Sequence, residues 1–496
     1  MNNLFVGRNK LNSNPNTAKG SFTLIGNEKF YQIEEYDTML PFFISLASDS
    51  NHWMYISSTG GLTAGRISPD NALFPYYTDD KIHESAESTG SKTILHVNKD
   101  GHTYLWEPFS QRYSGIYAIQ RRILKSTTGN KLIFEEHNLD LGLTFCYGWM
   151  NSDQFGWIKK SWLTNISSQS IEVRLVDGLQ NILPYGVNQF TQSKFSTLVD
   201  AYKKSELIAS VSLALFRMES LMADRAEPSE ALRTTTVWTY GLENNLYLLS
   251  SNQLNAFRHG SAITNETESK GVRGAFFIAN STTLAANETK TWYFVAEVNQ
   301  DAVRVNNLIH LLEISNNIDT LLEESIDRGT QALQSMIAQA DGIQHTADEH
   351  IAARHFANVL FNVMRGGIYS NSYSIGKADF AKHIKHFNAD TYSVHADFLN
   401  SLPNTIGYGE LSQRVQAQGD AHLYRLFLEY LPLTFSRRHG DPSRPWNAFN
   451  INVKDQHGNR ILYYQGNWRD IFQNWEALSL SYPGFIDSII AKFLNA

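Results

Sequence analysis

The chain has 496 residues, of which 42% are hydrophobic, 18% charged and 12% aromatic. That length calls for two or three domains, and that composition excludes a long disordered region. A formal net charge of −7 disfavours a duplex-binding surface, and a lone cysteine, Cys146, excludes an internal disulfide.

Residues 1–16 are rich in Asn and lack the cationic start and apolar core of a secretory signal. The longest apolar run, around residues 40–47, falls far short of a membrane span. The expected compartment is therefore the cytoplasm, and the Asn-x-Ser/Thr triplets at Asn165, Asn280 and Asn287 are read as chance.

Up to Val298 the texture is that of strands, with short β-branched and aromatic runs broken by Gly, Asn, Asp and Ser. Phe22-Thr23-Leu24-Ile25, Trp53-Met54-Tyr55-Ile56, Lys131-Leu132-Ile133-Phe134, the stretch 171–176 and Trp292-Tyr293-Phe294-Val295 are examples. The spacing predicts a large antiparallel β-sandwich over residues 1–300. Residues 203–223 read equally as a helix or a buried strand. Cys146 sits in a hydrophobic run, where a buried, inert thiol is expected.

The period changes after Asp301. Val305, Leu308, Ile309 and Leu312, then Ile318, Leu321, Leu322 and Ile326, repeat at three and four residues, which predicts a helical linker over 301–344. A further helix over 347–364 carries Ile351, Phe356, Leu360 and Val363 and stops at Arg365-Gly366-Gly367, a C-terminal cap signal. Later helices are expected near 421–435, 468–480 and 484–494, with a hairpin turn at Asp455-Gln456-His457-Gly458-Asn459. The helical domain, 345–496, is too short for a closed helical toroid, so a truncated one is expected.

Three clusters in the helical part carry candidate chemistry. The first runs from Tyr463 to Glu476. On a helix capped by Asn467, residues Trp468, Ile471, Phe472, Trp475 and Leu478 form an apolar stripe, and Arg469, Asp470, Gln473 and Asn474 lie off it. A guanidinium beside a carboxylate can each bind vicinal hydroxyls of a sugar, and an aromatic ring can cover the sugar's apolar face. The plain alternative is that Asp470 complements the helix N-terminus while Trp468 and Trp475 fill a core. The second cluster is 436–447, whose Arg437, Arg438, His439 and Arg444 are of the type that receives an anion such as phosphate; a solvated loop is the alternative. The third is Asp379, His383, His386 and Asp390, metal-ligand types on one face if that segment is helical, but flanked by Lys382 and Lys385 and without a ligand motif, so no metal is expected. His345, Glu349, His350 and His355 do not form a His-Glu-x-x-His arrangement. Phosphate-cradling Gly-rich loops, a dinucleotide fingerprint and a nucleophile elbow do not occur in the sequence.

The order of textures and two segments resemble a family. Leu40-Pro41, Ser58-Thr59-Gly60-Gly61-Leu62-Thr63 and the stretch 71–80 near the start, with Trp468-Arg469-Asp470-Ile471-Phe472-Gln473-Asn474 near the end, resemble the N-terminal portion of glycoside phosphorylases of the cellobiose and chitobiose phosphorylase type. These are related to the phosphorylase part of cyclic β-glucan synthases. The resemblance implies a mutarotase-like supersandwich, a helical linker and the first helices of an (α/α)6 toroid. It implies that Arg469 and Asp470 hold the transferred sugar; Trp468 and Gln473 beside them are the further candidate sugar contacts. The family has an Asp where this chain has Asn474. Its catalytic acid lies in a later Asp-x-Asn-Asp-like motif that this sequence lacks, so the acid is expected beyond Ala496 and this stretch alone is expected to be inactive. The implied reaction transfers a glycosyl unit from a β-linked oligosaccharide to inorganic phosphate, with phosphate as co-substrate and no cofactor. The implied partners are the oligosaccharide and phosphate, neither nucleic acid nor membrane, with a homodimer left open. A hydrolase on the same toroid and a noncatalytic carbohydrate-binding or assembly module are the alternatives.

Overall fold

The computed structural model describes residues 4–12, 16–220, 232–438, 440–444, 448–462, 464–465 and 471–495. The chain divides into two compact units, one of Met1–Gln331 with Gly440–Asn447, the other of Ala332–His439 with Ala448–Ala496.

The first unit is the expected antiparallel sandwich. An eleven-stranded sheet runs from an edge at Lys19–Ile25 to an edge at Glu268–Lys270. A five-stranded sheet has Gly90–Lys99, Ile171–Ile182 and Gly274–Leu284 at its centre, and a four-stranded meander is formed by Phe43–Leu46, His52–Ser57, Leu62–Arg66 and Ala72–Phe74. One apolar core joins residues from all three sheets, and Trp106, Trp149, Trp157 and Trp292 are buried in it. Much of the aromatic excess is therefore core volume.

Alternation decides which side chains enter that core. On the strand Gly156–Asn165, Trp157 and Leu163 point into it, so Lys159 and Ser161 at the same parity do as well, while Ile158 faces a separate cluster on the opposite side. That second cluster is closed by Ile318, Leu322 and Ile326, with Leu308, Ile309 and Leu312 against its rim. The expected apolar stripe of the linker thus covers the outer face of the large sheet, on helices Ala302–Ile314 and Ile318–Gln339.

The open reading of 203–223 resolves as two strands, Lys203–Ile208 and Leu213–Met218, turned by a short 3-10 segment and paired antiparallel. Ser212 adopts the left-handed conformation that this turn requires. A helix the strand texture concealed, Gln189–Ala201, is N-capped by Asn188, whose side chain accepts from the Thr191 N–H. Cys146 is buried opposite Glu135, and burial pushes its thiol pKa well up.

In the second unit the helix Glu349–Gly366 ends at Gly367, whose φ is +81°. The expected helix over 421–435 is shorter: Ala421–Leu428 is helical, and Leu433–Thr434 is already extended. Pro432 removes the donor that a continuing helix would need. Helices Lys377–Phe387, Ala389–Val394, Ala396–Ser401 and Tyr408–Gln416 fill a stretch whose pattern had not marked them. The turn at 455–459 forms as expected, with the Asp455 N–H donating to the Asn459 carbonyl and Lys454 bridging Arg460.

Candidate functional site

The second unit brings the end of one helix, a short extended segment and the start of another helix to one place. Gly366 allows it: a Cβ there would lie 2.9 Å from Trp475 Cδ1 and 3.0 Å from both Cβ and O of Asn474. The freed carbonyls at this helix end find partners. Trp475 Nε1 donates to Gly366 O at 2.9 Å, Ser436 Oγ to Arg365 O at 2.9 Å, and the Arg437 N–H to Met364 O at 2.8 Å. The Gln465 N–H donates in turn to Ser436 Oγ at 3.1 Å. Tyr464 packs its ring 5.3 Å from that of Trp475.

Of the sequence candidates, Trp468, Arg469, Asp470 and His439 lie outside the described residues. The helix Ile471–Ser481 follows directly, and Gln473 is exposed on it. The stripe differs from the expected one at two positions. Phe472 is 70% exposed, stacked on Phe493, whereas Asn474 is only 2% exposed beside Ile471, Trp475 and Leu478. The close approach at Gly366 draws Asn474, rather than Phe472, to the inner side.

Arg437 and Arg438 do not act as one cationic cluster. Neighbours on extended chain point apart: Arg437 is buried, its guanidinium 4.6 Å above the Phe435 ring, and Arg438 is exposed, its N–H donating to Asn450 O at 3.1 Å. Arg444 belongs to the other unit.

The side-chain oxygens Asn450 Oδ1, Gln465 Oε1 and Asn474 Oδ1 are buried and have no hydrogen-bond partner among the described residues. Each such acceptor costs about 1–3 kcal/mol unless a donor reaches it. Amide oxygens, a guanidinium and aromatic rings are the kinds of group that sugar hydroxyls and C–H faces engage. Gly366-Gly367 was the signal in the sequence for this close approach; nothing in the pattern singled out Asn450.

The histidine and aspartate set has other work. Asp379 accepts from Tyr430 OH at 2.6 Å, and His383 Nε2 is 3.1 Å from Leu426 O. The helix carrying them ends at Phe387, so Asp390 lies on the next one. Among the described residues no group of three or more His, Cys, Asp or Glu side chains is placed to hold a metal ion. Among the same residues no helix is long and apolar enough to cross a membrane.

Residues 369–432 match the family model described as Glycoside hydrolase family 149 insertion domain 1. The backbone at their ends has the form of an insertion. Ile368 pairs with Thr434 and Tyr369 with Leu433, so the chain leaves and returns at one spot, immediately between Gly367 and Ser436. No curated protein matches the sequence. Among solved structures, a bacterial glucoamylase complexed with acarbose is similar at 7% identity and TM-score 0.35, over 80% of this chain and 54% of that one. A human-microbiome protein assigned as a kojibiose phosphorylase gives 8% identity and TM-score 0.30, over 69% of this chain and 39% of that one. A protein of Escherichia coli K12 assigned as an aldose 1-epimerase gives 9% identity and TM-score 0.28, over 52% of this chain and 99% of that one. The chain thus spans about half or less of the length of the first two. Likeness at this level fixes neither reaction nor substrate.

Proposed function

We propose that this chain is part of a carbohydrate-active enzyme, and that the enzyme is an inverting glycoside phosphorylase acting on a β-linked oligosaccharide. The observation that carries the reading is the match of residues 369–432 to a glycoside hydrolase family insertion domain, rooted beside the buried amide acceptors. In this reading Arg469 and Asp470, which adjoin Ile471, grip hydroxyls of the transferred sugar, as the resemblance implies. Gln465, Asn474 and Asn450 accept from further hydroxyls, and an aromatic side chain, Trp468, covers the sugar face.

The chemistry is economical in acids. An inverting hydrolase needs one carboxyl group to protonate the leaving oxygen and a second to activate water, set about 6.5–9.5 Å apart. Phosphate is already an anionic nucleophile, so the base can be dispensed with and one acid suffices. The requirement moves to holding a dianion beside a carboxyl group, which calls for cations or aimed N–H groups. Arg437 is the buried cation of the cluster and the described residue proposed to meet phosphate, with Arg438 and His439 beside it in sequence. The catalytic acid is proposed to come from outside these 496 residues.

The test is phosphate dependence. The protein at its natural length, given β-linked oligosaccharides and inorganic phosphate, is expected to release a sugar 1-phosphate of inverted anomeric configuration. Cleavage that runs equally without phosphate would assign a hydrolase; tight binding without turnover would assign a binding module. Asp470→Ala is expected to weaken oligosaccharide binding by about tenfold or more. Unchanged affinity would reduce the motif to the start of a helix.

A further inference from the structure

A second polar, aromatic-walled hollow lies within the sandwich unit and has no part in the reading above. It is a cavity of about 370 Å³, lined by Asp37, by residues from Trp106 to Arg121 and by Asn12 and Asn16. That volume sits at the lower end of the ~300–1,000 Å³ typical of small-molecule sites, so it suits a compact ligand rather than a long chain.

Its walls are held from behind. Glu136, fully buried, accepts at one oxygen from Trp106 Nε1 at 2.7 Å, and at the other from the Phe109 N–H at 2.7 Å and Arg121 Nε at 2.8 Å. One carboxylate therefore fixes both ends of the loop between the strands His102–Trp106 and Ile119–Ser126. Tyr117 OH donates to Leu105 O at 2.7 Å, and the Asn12 N–H to Gly115 O at 2.7 Å. The lining is preorganised, and a ligand would meet little further ordering cost there.

Charge narrows the ligand class. Arg121 already faces Glu136 and, at 3.7 Å, Asp37. Glu107 is held by Lys92 at 2.5 Å and Arg258 at 2.8 Å. An incoming anion would have to displace carboxylates from Arg121, and an incoming cation would compete with Lys92 and Arg258. A neutral molecule with several hydroxyls pays neither cost, because paired ions still offer spare lone pairs and N–H groups. Tyr113 and Tyr117, both half-buried, supply flat apolar surface for ring C–H groups, with the buried Trp106 behind them.

We infer that the cavity beside Trp106 and Tyr113 is a binding site for a neutral, hydroxyl-rich ring, a glycosyl unit, separate from the cluster in the helical unit. The inference leans on the proposed function only in choosing a glycosyl ring over other neutral polyols.

Calorimetry and saturation-transfer NMR on the full chain, with glucose, galactose, cellobiose and maltose as probes, test it. At least one of these is expected to bind with a dissociation constant on the order of millimolar. Tyr113→Ala should weaken that binding about tenfold or more, and Ser114→Trp, at an exposed rim position, should block it while the circular dichroism spectrum stays unchanged. In Asp470→Ala the component of binding that Tyr113→Ala and Ser114→Trp remove should persist, whatever is lost at the helical cluster. Saccharide binding lost in Asp470→Ala but kept in both cavity variants overturns this site and leaves the proposed function standing. Binding of none of the four sugars overturns the site, and the proposed function is then judged by turnover alone. Binding of inorganic phosphate that Ser114→Trp abolishes, with no response to sugars, overturns the ligand class.

Discussion

Two sets of polar groups in this molecule, one in each unit, differ in how they are satisfied. In the sandwich, Asp177 accepts from Thr93 Oγ1 at 2.6 Å, Lys159 Nζ at 2.7 Å, Ser161 Oγ at 3.0 Å and Trp292 Nε1 at 2.7 Å. These donors come from the five-stranded and the eleven-stranded sheets, and Lys159 also lies over the rings of Tyr147 and Phe294. Every lone pair that matters is used, so the centre ties the sheets together and has nothing left for a ligand. In the helical unit, Asn474 is buried and Asn450 and Gln465 are half-buried, and the side-chain oxygens of all three are covered yet unused by the described residues. The saturated network around Asp177 is a structural clasp, and the unused oxygens in the helical unit are the ones the proposed function assigns to sugar hydroxyls.

The comparison breaks most sharply at Asp177. Removing it strands the Lys159 ammonium in the core, where burial already pulls its pKa down against the pull of Asp177. Asp177→Ala is expected to cost about 3–5 kcal/mol in unfolding free energy, read by denaturant titration. A loss below about 1 kcal/mol would mean that the clasp is not structural. Asn474→Leu is the counterpart. It removes an unpaired acceptor without leaving a charge behind, so stability should move by less than about 1 kcal/mol. Oligosaccharide affinity should nevertheless fall about tenfold, measured by calorimetry. A large stability loss with unchanged affinity would put Asn474 in the same class as Asp177.

The two centres were not equally legible. The alternation Trp157, Lys159, Ser161, Leu163 places a lysine among core positions, and Val173, Leu175, Asp177, Leu179 does the same for its partner. Strand texture was thus enough to expect the sandwich, though not to pair those two residues across sheets. The helical stripe at Ile318, Leu322 and Ile326 was legible for the same reason, since periodicity reports one-sided burial. The inner position of Asn474 was not, because it depends on how closely the end of another helix, at Gly366, can approach. The helices between Lys377 and Gln416 were missed because each is short and broken by turns, so no window holds enough repeats. The sandwich cavity depends on a loop fixed by Glu136, a long-range contact to which sequence spacing is blind.

His383 tests a third kind of buried polar group, satisfied by a single backbone carbonyl. Burial pulls its imidazole down to about 4, the contact with Leu426 O opposes this, and the charges of Lys492 and His386 add to it. The folded state therefore keeps the ring neutral between pH 6.5 and 4, while the unfolded chain takes up a proton. Stability is present in full above about pH 6.5 and declines as pH falls toward 4. Because the ring is partly exposed, the loss should be only about 1 kcal/mol. His383→Gln retains a donor for Leu426 O and cannot titrate, so its melting temperature should be flatter than that of the parent protein across this window. Identical pH profiles would show that His383 is as well solvated folded as unfolded. The amides of Asn450, Gln465 and Asn474 carry no charge to lose, so the unsatisfied centre should itself be insensitive to pH over this range.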